Sequence, residues 1–168
     1  MAGEGGTVAG RDAHRRGTCH DRLVVLRRDW VQRMIEQLAA AVARIAGLRR
    51  AAALDEARAE VAAAASSIAG VDPAMVAGVD SASVTALVRD PDRLAVLARL
   101  LLERASIEAD AGDAASAAAW RQRAVEIGIE AVAAGAALDP ELRAAIHGHP
   151  EAELAERQRG ARSRLQRP

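Results

Sequence analysis

Between residues 23 and 48 the large apolar side chains Val31, Ile35, Leu38, Val42 and Ile45 recur at alternating steps of four and three, the spacing of one face of a helix. Trp30 and Met34 widen that stripe at its start, while Arg27, Arg28, Arg33, Glu36 and Arg44 supply the opposite face. A second helix is predicted over residues 54–69, with Leu54, Ala57, Val61, Ala64 and Ile68 on its inner side. A short turn at residues 50–53 makes the two an antiparallel hairpin.

Three later helices share one start signal, Asp72-Pro73, Asp90-Pro91 and Asp139-Pro140. The Asp carboxylate accepts orphan backbone N–H groups as N-cap, and Pro at the first helical position forfeits no hydrogen bond. Between the first two starts lie short helical pieces, 73–77 and 82–89, which read as a connector around Gly78 and Asp80-Ser81. After Pro91 the apolar residues occupy two faces, Leu94, Leu97, Leu101 and Ala105 on one and Val96, Leu100 and Ile107 on another. A helix apolar on several sides is sandwiched between neighbours, so this one is expected at the centre of the domain. Gly112 stops it and Asp113 caps the next helix, 114–134, which presents Ala117, Trp120, Ala124, Ile127 and Ala131 and ends at Gly135.

A short helix over residues 140–147 closes at Gly148. Residues 149–168 form a charged tail or helix, in which Glu151, Glu153 and Glu156 precede a run of Arg. Residues 1–21 lack helical periodicity and read as a disordered tail, leaving 22–148 as the helical domain. Because periodicity opens near Leu23, a true start at Val24 or Val25 is the alternative reading of the first twenty residues.

Composition sharpens the fold class to all-α, with antiparallel hairpins packed as a bundle. The hydrophobic share of 51% is mostly Ala, which favours helix and lets helix axes approach closely, at the cost of a thin core. Lys, Asn, Phe and Tyr are absent while Ala, Arg and Gly abound, the codon bias of a GC-rich genome. Missing aromatics therefore carry no functional message. A formal net charge of zero gives no global attraction to nucleic acid or membrane. The single Cys19 excludes an intramolecular disulfide, and no apolar run reaches the roughly 18 residues that would span a bilayer. The apolar run Leu23-Val24-Val25-Leu26 falls short of the about 7 to 15 residues of a signal-peptide core, so a cytoplasmic location is expected.

Within residues 98–131, Ala105, Gly112-Asp113, Ala117 and Ala124 stand where a tetratricopeptide repeat places its small residues and turn, and the hairpin resembles that motif. Arg104 and Arg121 depart from its apolar positions, and Trp120 sits one place early. The stretch Arg28-Asp29-Trp30-Val31-Gln32-Arg33-Met34-Ile35-Glu36-Gln37-Leu38, with the later Leu-rich segment and the Gly112-Asp113 hairpin, resembles a family of small, functionally uncharacterised bacterial helical proteins. That resemblance implies a fold and supplies no catalytic residue.

Candidate chemistry is sparse. His14, Cys19, His20 and Asp21 include good metal ligands but match no zinc spacing. His147 and His149 flank Gly148 at a helix end, where capping and solvent exposure account for them. Residues 23–138 contain no His, which removes the base a Ser or Cys nucleophile needs. Glu126 and Glu130 share a helix face without an accompanying Glu-x-x-His, and Gly3 to Gly6 precede no strand or helix that would form a phosphate loop. No catalytic residue, cofactor or metal is expected, and an enzyme is the least supported class. The expected function is protein–protein interaction or scaffolding. A groove between the 23–48 and 114–134 helices would receive an amphipathic partner helix or a second copy of the chain. Trp30 and Trp120 are its candidate anchors, with core filling as the competing role. The alternative is a small nucleic-acid-associated regulator that contacts phosphates through Arg157, Arg159, Arg162, Arg164 and Arg167. Compensating Glu residues and missing stacking groups weigh against it.

Overall fold

The computed structural model describes residues 12–165, all of them in helices and the turns between them. In chain order the helices are α1 (Asp12–Arg50), α2 (Leu54–Ala64), α3 (Pro73–Ala77), α4 (Ser81–Val88), α5 (Pro91–Asp110), α6 (Ala114–Ala133), α7 (Pro140–Gly148) and α8 (Glu156–Leu165). A π-helical turn, Ala65–Ala69, continues α2, and a 3-10 turn, Glu151–Glu153, precedes α8. The chain divides into two units, 1–36 and 37–168.

In the first unit the helical backbone begins at Asp12, inside the stretch that the sequence pattern assigns to a disordered tail. Residues 1–11 lie outside the described residues. Periodicity reports which face of a helix is buried, and a solvated helix leaves no such trace. Met34 is buried, Trp30 and Val31 are half-buried, and Ile35 is 57% exposed. Among the described residues the buried positions of α1 are Met34, Ala41 and Ile45; of the expected stripe Ile45 is buried, while Val31, Leu38 and Val42 are half-buried and Ile35 is exposed. Both rows have helical spacing; the small Ala41 side chain permits the closer packing that decides between them.

The second unit is organised by α5, which packs against α2, the π turn, α4, α6 and α7. Its buried residues run around the whole helix and include Leu94, Leu97, Leu100, Leu101 and Ile107 together with Arg99, Glu103 and Glu108. Of the expected inner face of the second helix, Ala57, Val61, Ala64 and Ile68 are buried and Leu54 is half-buried, and the π turn adds Ala65 and Ala69. On α6 burial is concentrated in the second half, from Ala124 to Ala131, and Ala117 and Trp120 are only half-buried.

Local chemistry explains the breaks. Asp72, Asp90 and Asp139 each accept from a backbone N–H two residues ahead, Asp90 and Asp139 also from the next, with Pro at the first helical position. Asp80 caps α4 and Asp113 caps α6 in the same way. Three helix ends share one closure, in which the N–H groups of two successive residues return to the carbonyls five and three positions back. Gly112 and Gly135 supply the left-handed residue for α5 and α6, at φ +80° and +100°. At the end of α1 the same bonds, Ala53 to Leu48 and Ala52 to Arg49, close around Ala52 at φ 56°, where an L side chain is strained.

The Glu108 carboxylate on α5 ties α5 to α2. The Arg58 guanidinium donates to both Glu108 oxygens at 3.2 and 2.8 Å, and Arg104 adds a bond at 2.5 Å. Arg104 also lies 5.4 Å from the Trp120 ring centroid, a cation–π distance. These donors hold the Glu108 carboxyl below its ordinary value, Arg58 being the largest cause.

Two measurements test this account. Ala52→Gly is expected to raise stability in urea unfolding by about 0.5–1 kcal/mol, because Gly relieves the left-handed strain; a loss would show that Ala52 is unstrained. Since the folded Glu108 carboxyl titrates below its unfolded range, its contribution is present above about pH 4.3 and is lost as pH falls through the folded value. Glu108→Gln is expected to lower stability at pH 7 by about 2 kcal/mol, below the value for a fully enclosed pair because both Arg partners are about a quarter exposed. The deficit shrinks in acid; a pH-independent deficit would contradict the ionic account.

Candidate partner-binding trough

A trough of about 570 Å³ opens on the second unit. Its floor is one face of α5, where Arg99, Leu102, Glu103 and Ser106 follow at helical spacing, and its sides are Val42, Ala46 and Arg49 of α1 and Glu141, Ala144 and Ala145 of α7. Arg121 of α6 completes the lining. Ala at three of these positions and Ser at a fourth keep the walls low.

Its polar groups are mostly committed to one another. Arg99, with its side chain 8% exposed, pairs with Glu103 at 2.6 Å, with Asp139 at 3.4 Å and with Glu141. Arg49 donates to Asp110 at 2.6 Å and to Glu103 at 3.4 Å. The Asp110 bond is the largest cause raising the Arg49 guanidinium above its ordinary value, so it stays charged at any working pH. Arg121, exposed on the rim, bonds to none of the described residues. The network thus spends two guanidinium groups on four carboxylates and leaves a third, Arg121, without a partner among the described residues.

The sequence pointed to a groove between the first long helix and the 114–134 helix, and α1 and α6 do both contribute to this trough. Its proposed anchors do not. Trp30 belongs to the first unit. Trp120 faces a different cleft of about 420 Å³, lined by Ala77, Gly78 and Val79 before α4 and by Ala119, Gln122, Arg123 and Glu126 of α6. There Arg123 is bound to the Val76 carbonyl at 2.8 and 3.1 Å and to Glu126 at 3.0 Å. Trp120 packs against Arg104 one residue away from the trough-lining Arg121. The floor residues Arg99 and Glu103 were invisible as site residues, because charge at two core-facing positions was their only signal.

The Arg-rich C-terminus is placed differently from the free tail that phosphate binding requires. Arg162 of α8 is buried and donates to the His149 and His147 carbonyls at 2.6 and 2.7 Å, capping the end of α7. Arg159 donates to the Leu154 carbonyl at 2.7 Å. Gln158, also buried, reaches Ser81 at the start of α4 at 3.1 Å. The side chains of Arg157 and Arg164, and all of Arg167, lie outside the described residues. His149 is buried, against the exposure expected from sequence, with Nε2 3.5 Å from the Glu153 carboxylate; packing of the α7–α8 connection encloses it. The side chains of His14, Cys19, His20 and Asp21 are outside the described set, and elsewhere among the described residues no three His, Cys, Asp or Glu converge as metal ligands would.

Among the described residues no helix is long and apolar enough to cross a membrane. In comparisons with known proteins the chain matches no family model, no curated protein and no solved structure.

Arg162→Ala strips two carbonyls of a charged donor and is expected to cost about 2 kcal/mol in urea unfolding. Arg159→Ala, at a half-exposed position with one carbonyl acceptor, is expected to cost less than half of that; equal losses would mean that the α7 cap is not what holds α8.

Proposed function

We propose that the protein is a non-enzymatic, cytoplasmic interaction module that receives an amphipathic helix of a protein partner in the trough over α5. The observation that carries this reading is the trough itself: an open channel about two helical turns long, with apolar Val42, Ala46, Leu102, Ala144 and Ala145 among its lining, the paired Arg99 and Glu103 in its floor, and Arg49, Arg121 and Glu141 around it. A helix laid in such a groove buries its apolar face and keeps its polar face in water. In the same reading the α5–α6 hairpin is tetratricopeptide-like in its small residues and its Gly112-Asp113 turn, and the chain belongs with the uncharacterised bacterial helical proteins that its 28–38 stretch resembles. The nucleic-acid reading is weakened by the use of Arg162 and Arg159 as internal donors.

The test is capture of partners from the native host with the tagged full chain after nuclease treatment, followed by mass spectrometry. A stoichiometric protein is expected to be retained by the parent and by Leu87→Arg, at an exposed position outside the trough. It is expected to be lost with Ala144→Arg, whose exposed side chain fills the trough without burying charge; the melting temperature is expected to stay unchanged. Capture that ignores Ala144→Arg, or that vanishes with nuclease, would overturn the proposal.

A further inference from the structure

The charge left over in the trough points to what occupies it. Around Arg99 a single buried guanidinium serves Glu103, Asp139 and Glu141, and Arg49 serves Glu103 and Asp110. Asp110 and Asp139 lie outside the lining, and the exposed carboxylate within it is Glu141, whose side chain is 67% exposed and whose Oε2 is the atom engaged by Arg99. A carboxylate has lone pairs for further donors, and Oε1 of Glu141 is open to a second guanidinium. Arg121, on α6 in the same lining, is the opposite case, an exposed guanidinium that bonds to none of the described residues.

The trough therefore carries one unspent acid site and one unspent basic site. A partner that complements both must present a basic group toward Glu141 and a carboxylate toward Arg121. A second copy of this chain does so through a single repeated contact, because two-fold symmetry makes residue i meet residue j and j meet i. The rim helix α7 is the ridge that can enter: Glu141 stands in its first turn, and the exposed Ala144 and Gly148 follow on its outer side. A Cβ built at Gly148 meets nothing within 4 Å, so another helix can approach closely there.

We infer that the chain forms a two-fold dimer in which α7 of each copy lies in the other's trough and Glu141 of each meets Arg121 of the other. This rests on the trough being an interaction site. A channel two helical turns long buries less than a standard stable interface, so the dimer forms with a dissociation constant in the micromolar range. The Arg99 network stays intact beneath it, and the added ion pairs weaken as salt rises.

Sedimentation equilibrium on the full chain, over a concentration series bracketing that range, is expected to show a monomer–dimer equilibrium that shifts toward monomer with salt. Arg121→Glu is expected to weaken the dimer at least about tenfold, without lowering the melting temperature, since Arg121 has no described intrachain partner. Glu141→Arg is expected to do the same, and the double variant to restore association to within a few-fold of the parent. Should Glu141→Arg unfold the chain by leaving Arg99 facing a like charge, Glu141→Gln keeps an acceptor for Arg99 and is expected to weaken the dimer alone. A monomer at every concentration, a dimer indifferent to Arg121→Glu, or failure of the folded double variant to recover would each overturn the inference. A strict monomer that still captures another protein in an Ala144→Arg-sensitive way retains the trough as a partner site and removes the second copy. A strict monomer without such capture ends both readings.

Discussion

Helix α5 is enclosed on all sides by a chain that has no Phe or Tyr and only two Trp with which to enclose it. Leu and Ile fill most of the space, but Arg99, Glu103 and Glu108 are buried along the same helix, and an ionised group inside a fold is tolerable only with its charge matched and its hydrogen bonds made. The neighbours supply that match. Arg58 comes from α2, Arg49 from α1, Asp139 from the residue that caps α7 and Glu141 from α7 itself. The packing order around α5 is consequently specified by polar geometry as much as by apolar contact. An Ala-rich helix pair can slide or rotate with small loss, and a guanidinium held by three carboxylates cannot. The polar network thus compensates for what the thin apolar core lacks in shape.

How much of this could be read from the residues depends on how local the cause is. The Asp-Pro caps and the Gly112 and Gly135 closures are contained within four or five consecutive residues, and they stand in the structure where the pattern put them. Central placement of α5 was legible because two apolar faces on one helix demand two neighbours. The buried side of α1 was not. Ile45 of the regular stripe Val31, Ile35, Leu38, Val42 and Ile45 is buried, but its other buried neighbours are Met34 and Ala41, and choosing among helically spaced positions requires knowing what approaches. The same limit concealed the trough's charged floor, whose partners lie 54 and 42 residues away from Glu103 and Arg99. It also concealed the fate of the Arg run. In sequence, Arg162 is one of a series; in space it is the cap of another helix.

Trp120 shows how neighbouring residues can divide between two surfaces. Its indole packs under Arg104 and walls the cleft beside α4, while Arg121 turns to the trough. Arg104 in turn is held by Glu108, which is held by Arg58. A continuous set of contacts therefore runs from α2 through α5 to the aromatic wall of the second cleft, separate from the Arg49–Glu103–Arg99 set beneath the trough. The two surfaces of the bundle rest on different carboxylates of one helix, and perturbing one carboxylate leaves the other's partners in place.

The fastening of α8 has a consequence for the order in which the molecule matures. Gln158 meets Ser81 across 77 residues, and Arg162 takes the carbonyls of His147 and His149 at the end of α7. During synthesis, α4 and α7 emerge before the helix that completes them. Until α8 is released, the nascent chain lacks the guanidinium that caps the end of α7, and the docking of α8 supplies it.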